Sequence, residues 1–258
     1  MRAIFINVFA LVIGLFTGLM LQAQPGALDQ TFGDGGTLSV DFDSLNDEAK
    51  GIIVQPDGKI LVAGSASIDY VNKFAIARLN PDGTFDTTFG TNGKVETQMG
   101  NSNITFGECI ALQPDGKIIV AGSVFIGTTY YMAVARYNSD GQLDASFSGD
   151  GMMTYSPGGS VFIKAIAIQD DGAILLAGSS GLLGAATHIS VLKLNSDGTI
   201  DESFGDGTGQ LVTEVGESSG ALGLAIQSNG NIIVAGYTND GAYNDVVVVR
   251  YSENGVLD

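Results

Sequence analysis

The chain has 258 residues, 45% of them hydrophobic and only 15% charged, which excludes a disordered polymer and implies a folded core. Its net charge of −17, from 11 basic against 28 acidic residues, repels phosphate backbones and anionic membranes and so excludes nucleic acid as a partner. A single cysteine, Cys109, rules out an intrachain disulfide, so stability must come from packing and backbone ladders.

Residues 1–23, MRAIFINVFALVIGLFTGLMLQA, read as a secretory signal peptide. Arg2 supplies a positive start, an apolar run follows over 3–21, and Ala23 is a small residue at the cleavage position. Cleavage there makes Gln24 the mature N-terminus. A retained anchor is the alternative, because the run is near spanning length. No cysteine follows the run, which excludes a lipoprotein anchor. No other stretch is long and apolar enough to span a bilayer, and the expected location is periplasmic, cell-surface or extracellular.

From there to the end, the chain repeats itself. QPDGKILVAG at 55–64 returns as QPDGKIIVAG at 113–122, QDDGAILLAG at 169–178 and QSNGNIIVAG at 227–236. A second block, FAIARLNPDGTFDTTFG at 74–90, returns at 132–148 and 189–205, and returns cut short as VVVVRYSENGVLD at 246–258. Its missing tail has a counterpart in LDQTFGDGG at 28–36. Residues 24–258 thus form one repeat domain, with units at roughly 28–85, 86–143, 144–200 and 201–258.

Each unit is expected to hold four short strands, at about 37–43, 50–55, 59–65 and 73–79 in the first. Pro56-Asp57-Gly58 turns between the second and third, its glycine tolerating positive φ. The third strand carries Ala63-Gly64, where a side chain would obstruct a neighbouring backbone. Strands apolar on both faces, such as Ile52-Ile53-Val54, belong to sheets packed between other sheets. The expected fold is all-β, a propeller of four-stranded antiparallel blades with four units present; a β-solenoid is the rival. The end of the chain inside a motif fits either more blades beyond residue 258 or ring closure by 37–43 beside 246–251.

The pairing of a QPDGKI-VAG hairpin with an AR-N-DG--D--FG segment resembles the bacterial delta-60 repeat, a propeller-type module of exported proteins. The resemblance covers about 28–258. It implies the fold and an extracellular setting, and brings no established catalytic residue with it.

Strand order also assigns two unlike ends. With strands a (50–55), b (59–65), c (73–79) and d (94–99), the a–b and c–d turns share one end and the b–c and d–a loops the other. The turns barely change between units, whereas the b–c loops at 65–73, 123–131, 179–188 and 237–245 differ. Variable loops on a rigid scaffold are where binding usually resides. Candidate ligand contacts there are Tyr70, Tyr130, Tyr131, His188, Tyr237 and Tyr243, with His188 expected on a surface loop.

At the regular end, the motif N-x-D-G-x-x-D recurs and resembles the latter half of a calcium loop. The position where such a loop begins with Asp holds Arg78, Arg136 and Lys193. Structural turn pairs are therefore expected, Arg78 with Asp82 or Asp86, Arg136 with Asp140 or Asp144, and Lys193 with Asp197 or Asp201. Calcium is disfavoured, and no cofactor or metal is expected. Cys109 aligns with Gly51, Ala165 and Gly223, so it is expected to be buried filler. Catalytic acids normally occur once, which leaves the non-repeated Asp69, Glu108, Glu217, Asp240 and Asp245 as the acids to test.

The expected function is an exported, non-enzymatic scaffold or binding module, monomeric, with an extracellular glycan, protein or peptide as its ligand. A propeller lyase or hydrolase with its site near the axis is the alternative.

Overall fold

The computed structural model describes residues 26–42, 45–205 and 207–258. Residues 1–23, read above as a signal peptide, lie outside the described residues. Among the described residues, fifteen strands form four antiparallel sheets, each a simple meander. The first blade is β1 (Asp47–Val54), β2 (Ile60–Ile68), β3 (Val71–Leu79) and β4 (Lys94–Thr97). The second is β5 (Thr105–Leu112), β6 (Ile118–Ile126), β7 (Thr129–Tyr137) and β8 (Met152–Tyr155). The third is β9 (Ser160–Ile168), β10 (Ile174–Gly181), β11 (His188–Leu194) and β12 (Gln210–Thr213). The fourth has only β13 (Ser218–Ile226), β14 (Ile232–Asn239) and β15 (Asn244–Tyr251).

The blades stack in chain order, and their first strands lie against one another, β1 with β5, β5 with β9 and β9 with β13. These first strands are therefore the inner ones, around the propeller axis. A separate apolar core fills each junction. Ile118 and Val120 face the first blade, whereas the alternate residues Ile119 and Ala121 face the third. This is why the strands read as apolar on both faces. Phe89, Phe147 and Phe204, the last aromatic of each repeated turn block, are fully buried in successive junctions.

Over its described residues, 37–42, the strand expected at 37–43 does not form. Thr37 makes only isolated bridges to Gly33 and Asp34, and Val40 and Phe42 pack against Ala66, Ala75 and Ala77 of the first blade. By repeat phase this segment is an outer strand, and such a strand needs a third strand beside it. The outer place in the first blade is already held by β4. The segment nevertheless docks as an outer turn does: the Gly33 amide donates to the Asp82 carbonyl at 2.8 Å, just as Gly90 donates to Asp140 at 2.8 Å and Ser148 to Asp197 at 2.9 Å. It does not close the ring, since β15 pairs only with β14 and Val246 and Val248 stay exposed. Ile52 and Val54 on the first blade are likewise exposed, so the stack is an open arc.

The b–c segments are tighter than expected. β2 and β3 continue to a two-residue turn, Asp69-Tyr70, with φ of 52° and 63° at its two residues. Both values suit a primed hairpin turn, whose twist matches that of the strands. In the second blade Gly127-Thr128 closes the same hairpin. Only the third and fourth blades keep longer loops, at 182–187 and 240–243.

Candidate functional site

The repeated Ala-Gly pair builds the axial face. A Cβ on Gly64, Gly122, Gly178 or Gly236 would lie 1.9, 1.8, 1.8 or 1.9 Å from the carbonyl oxygen of Glu48, Phe106, Phe162 or Gly220 on the inner strand. No real Cβ tolerates that approach, so only glycine lets the two backbones close. At the same level the inner strand carries one extra residue, with register shifts between Ala49 and Gly51, Gly107 and Cys109, and Ala221 and Gly223. In the third blade Gly178 pairs with Ile163 and Ala177 with Ala165, leaving Lys164 over. Each blade therefore has a β-bulge, and a bulge re-aims its extra side chain. The four bulged residues are Lys50, Glu108, Lys164 and Leu222.

The first three open on one cavity of about 320 Å³ at the b–c and d–a end. Lys50 donates to Glu48, which also lines the cavity, and Lys164 reaches across a blade junction to Glu108 at 2.6 Å. The hydrogen bond that Lys50 donates to Glu48, helped by the charges of Glu48 and Glu108, raises the Lys50 pKa against the opposing effect of desolvation. Beside these charges lies an aromatic group. The Tyr130 ring sits 4.9 Å from Phe125, 4.9 Å from Phe162 and 6.5 Å from Phe106, tilted against each. Phe106 is 37% exposed and presents its ring to the cavity. Hydroxyls stitch the junctions behind it: Ser65 accepts from the Gly107 amide at 2.8 Å and Ser123 from the Ile163 amide at 3.3 Å.

The other end of each blade is built alike every time. Arg78 Nε donates to Asp86 Oδ2 at 2.7 Å, and Lys59 from the neighbouring hairpin turn joins the same oxygen at 2.9 Å. Arg136 Nη2 and Lys117 meet Asp144 Oδ2 at 2.8 and 2.9 Å. Lys193 meets Asp201 at 3.2 Å, and Arg250 meets Asp258 at 2.5 Å at the exposed end of the arc. The cation lies over the buried phenylalanine of the same block, Arg78 at 4.5 Å from Phe89 and Arg136 at 4.8 Å from Phe147. It also donates into the next blade, Arg78 to the Ser139 carbonyl and Arg136 to that of Ser196. Burial opposes ionisation of Asp86, but hydrogen bonds from Lys59 and Thr88 and the charge of Arg78 outweigh it and hold its carboxyl well below the usual range. Asp144 is held low in the same way by Lys117, Ser146 and Arg136. Asp82, Asp140 and Asp197 do not join these pairs; each caps its own turn, accepting from the amide two residues on.

Four stretches, 55–89, 113–147, 169–204 and 227–258, match the family model described as a domain of unknown function, DUF5122, β-propeller. The chain belongs to that family. No curated protein matches it. Among solved structures it is similar to a PL25 ulvan lyase, with 10% identity, a TM-score of 0.51, and coverage of 81% of this chain and 54% of that one. Similarity also extends to an aldose sugar dehydrogenase from Streptomyces coelicolor, with 16% identity, a TM-score of 0.44, and coverage of 83% of this chain and 62% of that one. An α-L-arabinofuranosidase from Clostridium thermocellum follows at 13% identity and a TM-score of 0.42, with coverage of 81% and 70%. The DUF5122 chain thus spans about half the length of the lyase and about three fifths of the dehydrogenase. At such identity the likeness to the lyase is one of fold.

Of the residues singled out on the variable face, the structure brings only Tyr130 into the axial cavity. Tyr70 and Tyr243 are exposed in turns away from it. Tyr131 is half-buried on β7 against the first junction core. Tyr237, on β14, covers Gly220, a position where the second and third blades have phenylalanine. His188 is not a loop residue. It begins β11, pairs with Ser180, is half-buried, and keeps Nδ1 out of solvent without a hydrogen-bond partner. The reason is common to all of these: the hairpins continue as strands well past where the repeat loses its sequence identity. Cys109 packs, half-buried, against the second junction core, and burial pushes its thiol pKa up. Of the five acids singled out in the sequence, Glu108 alone lines the axial cavity, where it is joined by Glu48. Glu48, Phe106, Phe162, Lys50 and Lys164 are not among the sequence candidates, because they lie on the inner strands rather than in the loops. Their signal is two columns that change between blades inside strands that otherwise repeat, Glu48, Phe106, Phe162 and Gly220, and Lys50, Glu108, Lys164 and Leu222.

Proposed function

We propose that this protein is an exported, non-enzymatic binding module whose ligand sits in the axial cavity at the b–c and d–a end. One observation carries the reading. A bulge repeated in every blade presents residues that change from each blade to the next, Lys50, Glu108, Lys164 and Leu222, and three of them share a cavity with an aromatic group present once. A repeated scaffold whose side chains change from blade to blade around an exposed concavity has the form expected of a binding site. Export is supported by the leader-like sequence of 1–23 and by the resemblance to bacterial delta-60 modules.

A propeller lyase or hydrolase is the second reading, favoured by the presence of Glu48 and Glu108 in one cavity. Each is ion-paired with a lysine, Glu48 with Lys50 and Glu108 with Lys164, and a carboxylate so occupied suits hydrogen bonding to a ligand better than proton transfer.

The test uses the protein lacking residues 1–23 against immobilised panels of glycans and synthetic peptides. Phe106→Ala and Lys164→Ala are expected to abolish capture of whatever wild type retains, and Asp115→Ala at the opposite end to leave it intact. The reverse pattern, or turnover of a captured glycan, would overturn the reading.

A further inference from the structure

The chemistry of the axial cavity narrows its ligand, given the binding role proposed for it. Phe106 lines the cavity and is half-exposed, with its ring beside Tyr130, which is itself packed between Phe125 and Phe162. An aromatic face carries negative charge density and attracts polarised C–H groups. Around it stand two carboxylates and two ammonium groups, Glu48, Glu108, Lys50 and Lys164. They supply acceptors and donors side by side, as vicinal hydroxyls require. Their charges cancel in pairs, so the site carries no net charge of its own.

Other ligand classes fit less well. A purely apolar ligand would bury charged groups without giving them partners, which is costly. An anionic ligand would approach a chain of net charge −17 and displace a carboxylate from its lysine. A peptide adding as a strand needs a continuous free edge. The inner strands are interrupted by the bulges at Lys50, Glu108 and Lys164, and the Gly107 and Ile163 amides are already taken by Ser65 and Ser123. The other blades do not duplicate this arrangement: the counterparts of Tyr130 are Asn72, Thr187 and Asn244.

We propose that the cavity binds a neutral sugar ring of an oligosaccharide, stacked on Phe106 and hydrogen-bonded through its hydroxyls to Glu48, Glu108, Lys50 and Lys164. The ring's apolar C–H face and its equatorial hydroxyls match the two halves of the site.

Calorimetric titration of the protein lacking residues 1–23 tests this, with cellohexaose, xylohexaose, mannohexaose and laminarihexaose as probes and tetragalacturonate as the anionic comparison. At least one neutral oligosaccharide is expected to bind. Phe106→Ala should weaken it by about tenfold or more, the worth of one stacking contact. Phe106→Tyr should retain it, and Asp115→Ala should not change it. Matching melting temperatures of wild type and Phe106→Ala keep the comparison free of folding effects. Binding of none of the neutral probes, binding of tetragalacturonate alone, or equal binding by Phe106→Ala would overturn the proposal. A panel peptide held by wild type and lost by Phe106→Ala would sink the saccharide while leaving the axial site standing. A ligand lost on changing Asp115 but kept by Phe106→Ala would sink the site itself.

Discussion

The two ends of each blade follow opposite rules. At the turn end a cation paired with an aspartate returns in every repeat, and over a buried phenylalanine in the first three: Arg78, Asp86 and Phe89, then Arg136, Asp144 and Phe147, then Lys193, Asp201 and Phe204. At the axial end the backbone repeats, down to the bulge, but the side chains mounted on it do not. Lys50, Glu108, Lys164 and Leu222 share one backbone position, yet no two neighbouring blades carry the same residue there. Repetition marks what holds blades together, since every junction has the same mechanical task. Departure from repetition at an exposed position is free of that task, and so is available for a ligand.

The contrast can be broken at four levels. The largest effect is expected where the shared backbone is built. Gly122→Ala puts a Cβ 1.8 Å from the Phe106 carbonyl, between two strands of a buried blade, and should prevent folding or remove several kcal/mol of stability. Gly127→Ala, at a turn with φ of 64° and open space around it, should cost only about 1 kcal/mol. Urea denaturation of the two variants measures the difference.

Next comes the turn end. Asp144→Asn leaves Arg136 and Lys117 without their counter-charge in a buried setting and should cost about 3 kcal/mol, read from the same denaturation curves. Asp258→Asn, whose partner Arg250 is half-exposed at the end of the arc, should cost less than about 1 kcal/mol.

A third effect is on pH dependence. The carboxyls of Asp86 and Asp144 are depressed in the folded protein. Their contribution is therefore complete above the unfolded value of about 4 and is lost as pH falls through the folded values. The melting temperature should be flat from neutral pH to about 5 and fall steeply below about 4. Asp86→Asn combined with Asp144→Asn should be less stable throughout and show a shallower acid limb.

The smallest effect on stability is expected at the axial end. Lys164→Met breaks an ion pair whose lysine side is half-exposed and should change stability by about 1 kcal/mol. Its effect on ligand capture should be far larger, and a variant that melts like wild type yet binds nothing would set function at that end apart from fold.

Much of this was legible beforehand. The Gly58 turn, with φ of 84°, and its counterparts Gly116, Gly172 and Gly230 announced the hairpins. The Ala-Gly pair announced a close backbone approach, and the structure shows that it seats a bulge. The pairing of Arg78 with Asp86 rather than Asp82 was left open by the motif, and the fold decides it by burying Asp86 while Asp82 caps a turn. The strand expected at 37–43 was misplaced because strand propensity is local, whereas a strand also needs a neighbour with free hydrogen-bonding groups.

What the sequence by itself determined is the scaffold: the repeat length, the blade hairpins, the apolar faces and the acidic, disulfide-free character of the chain. Each of these is a local or summed property, visible to anyone comparing one unit with the next. Only the tertiary structure decided which of the non-repeating residues meet. Glu48, Phe106, Tyr130 and Lys164 stand on four strands of three blades, and their shared cavity exists because the inner strands converge and a bulge turns one side chain of each toward the axis. Convergence of that kind depends on how whole sheets stack, a long-range outcome that no window of the chain contains.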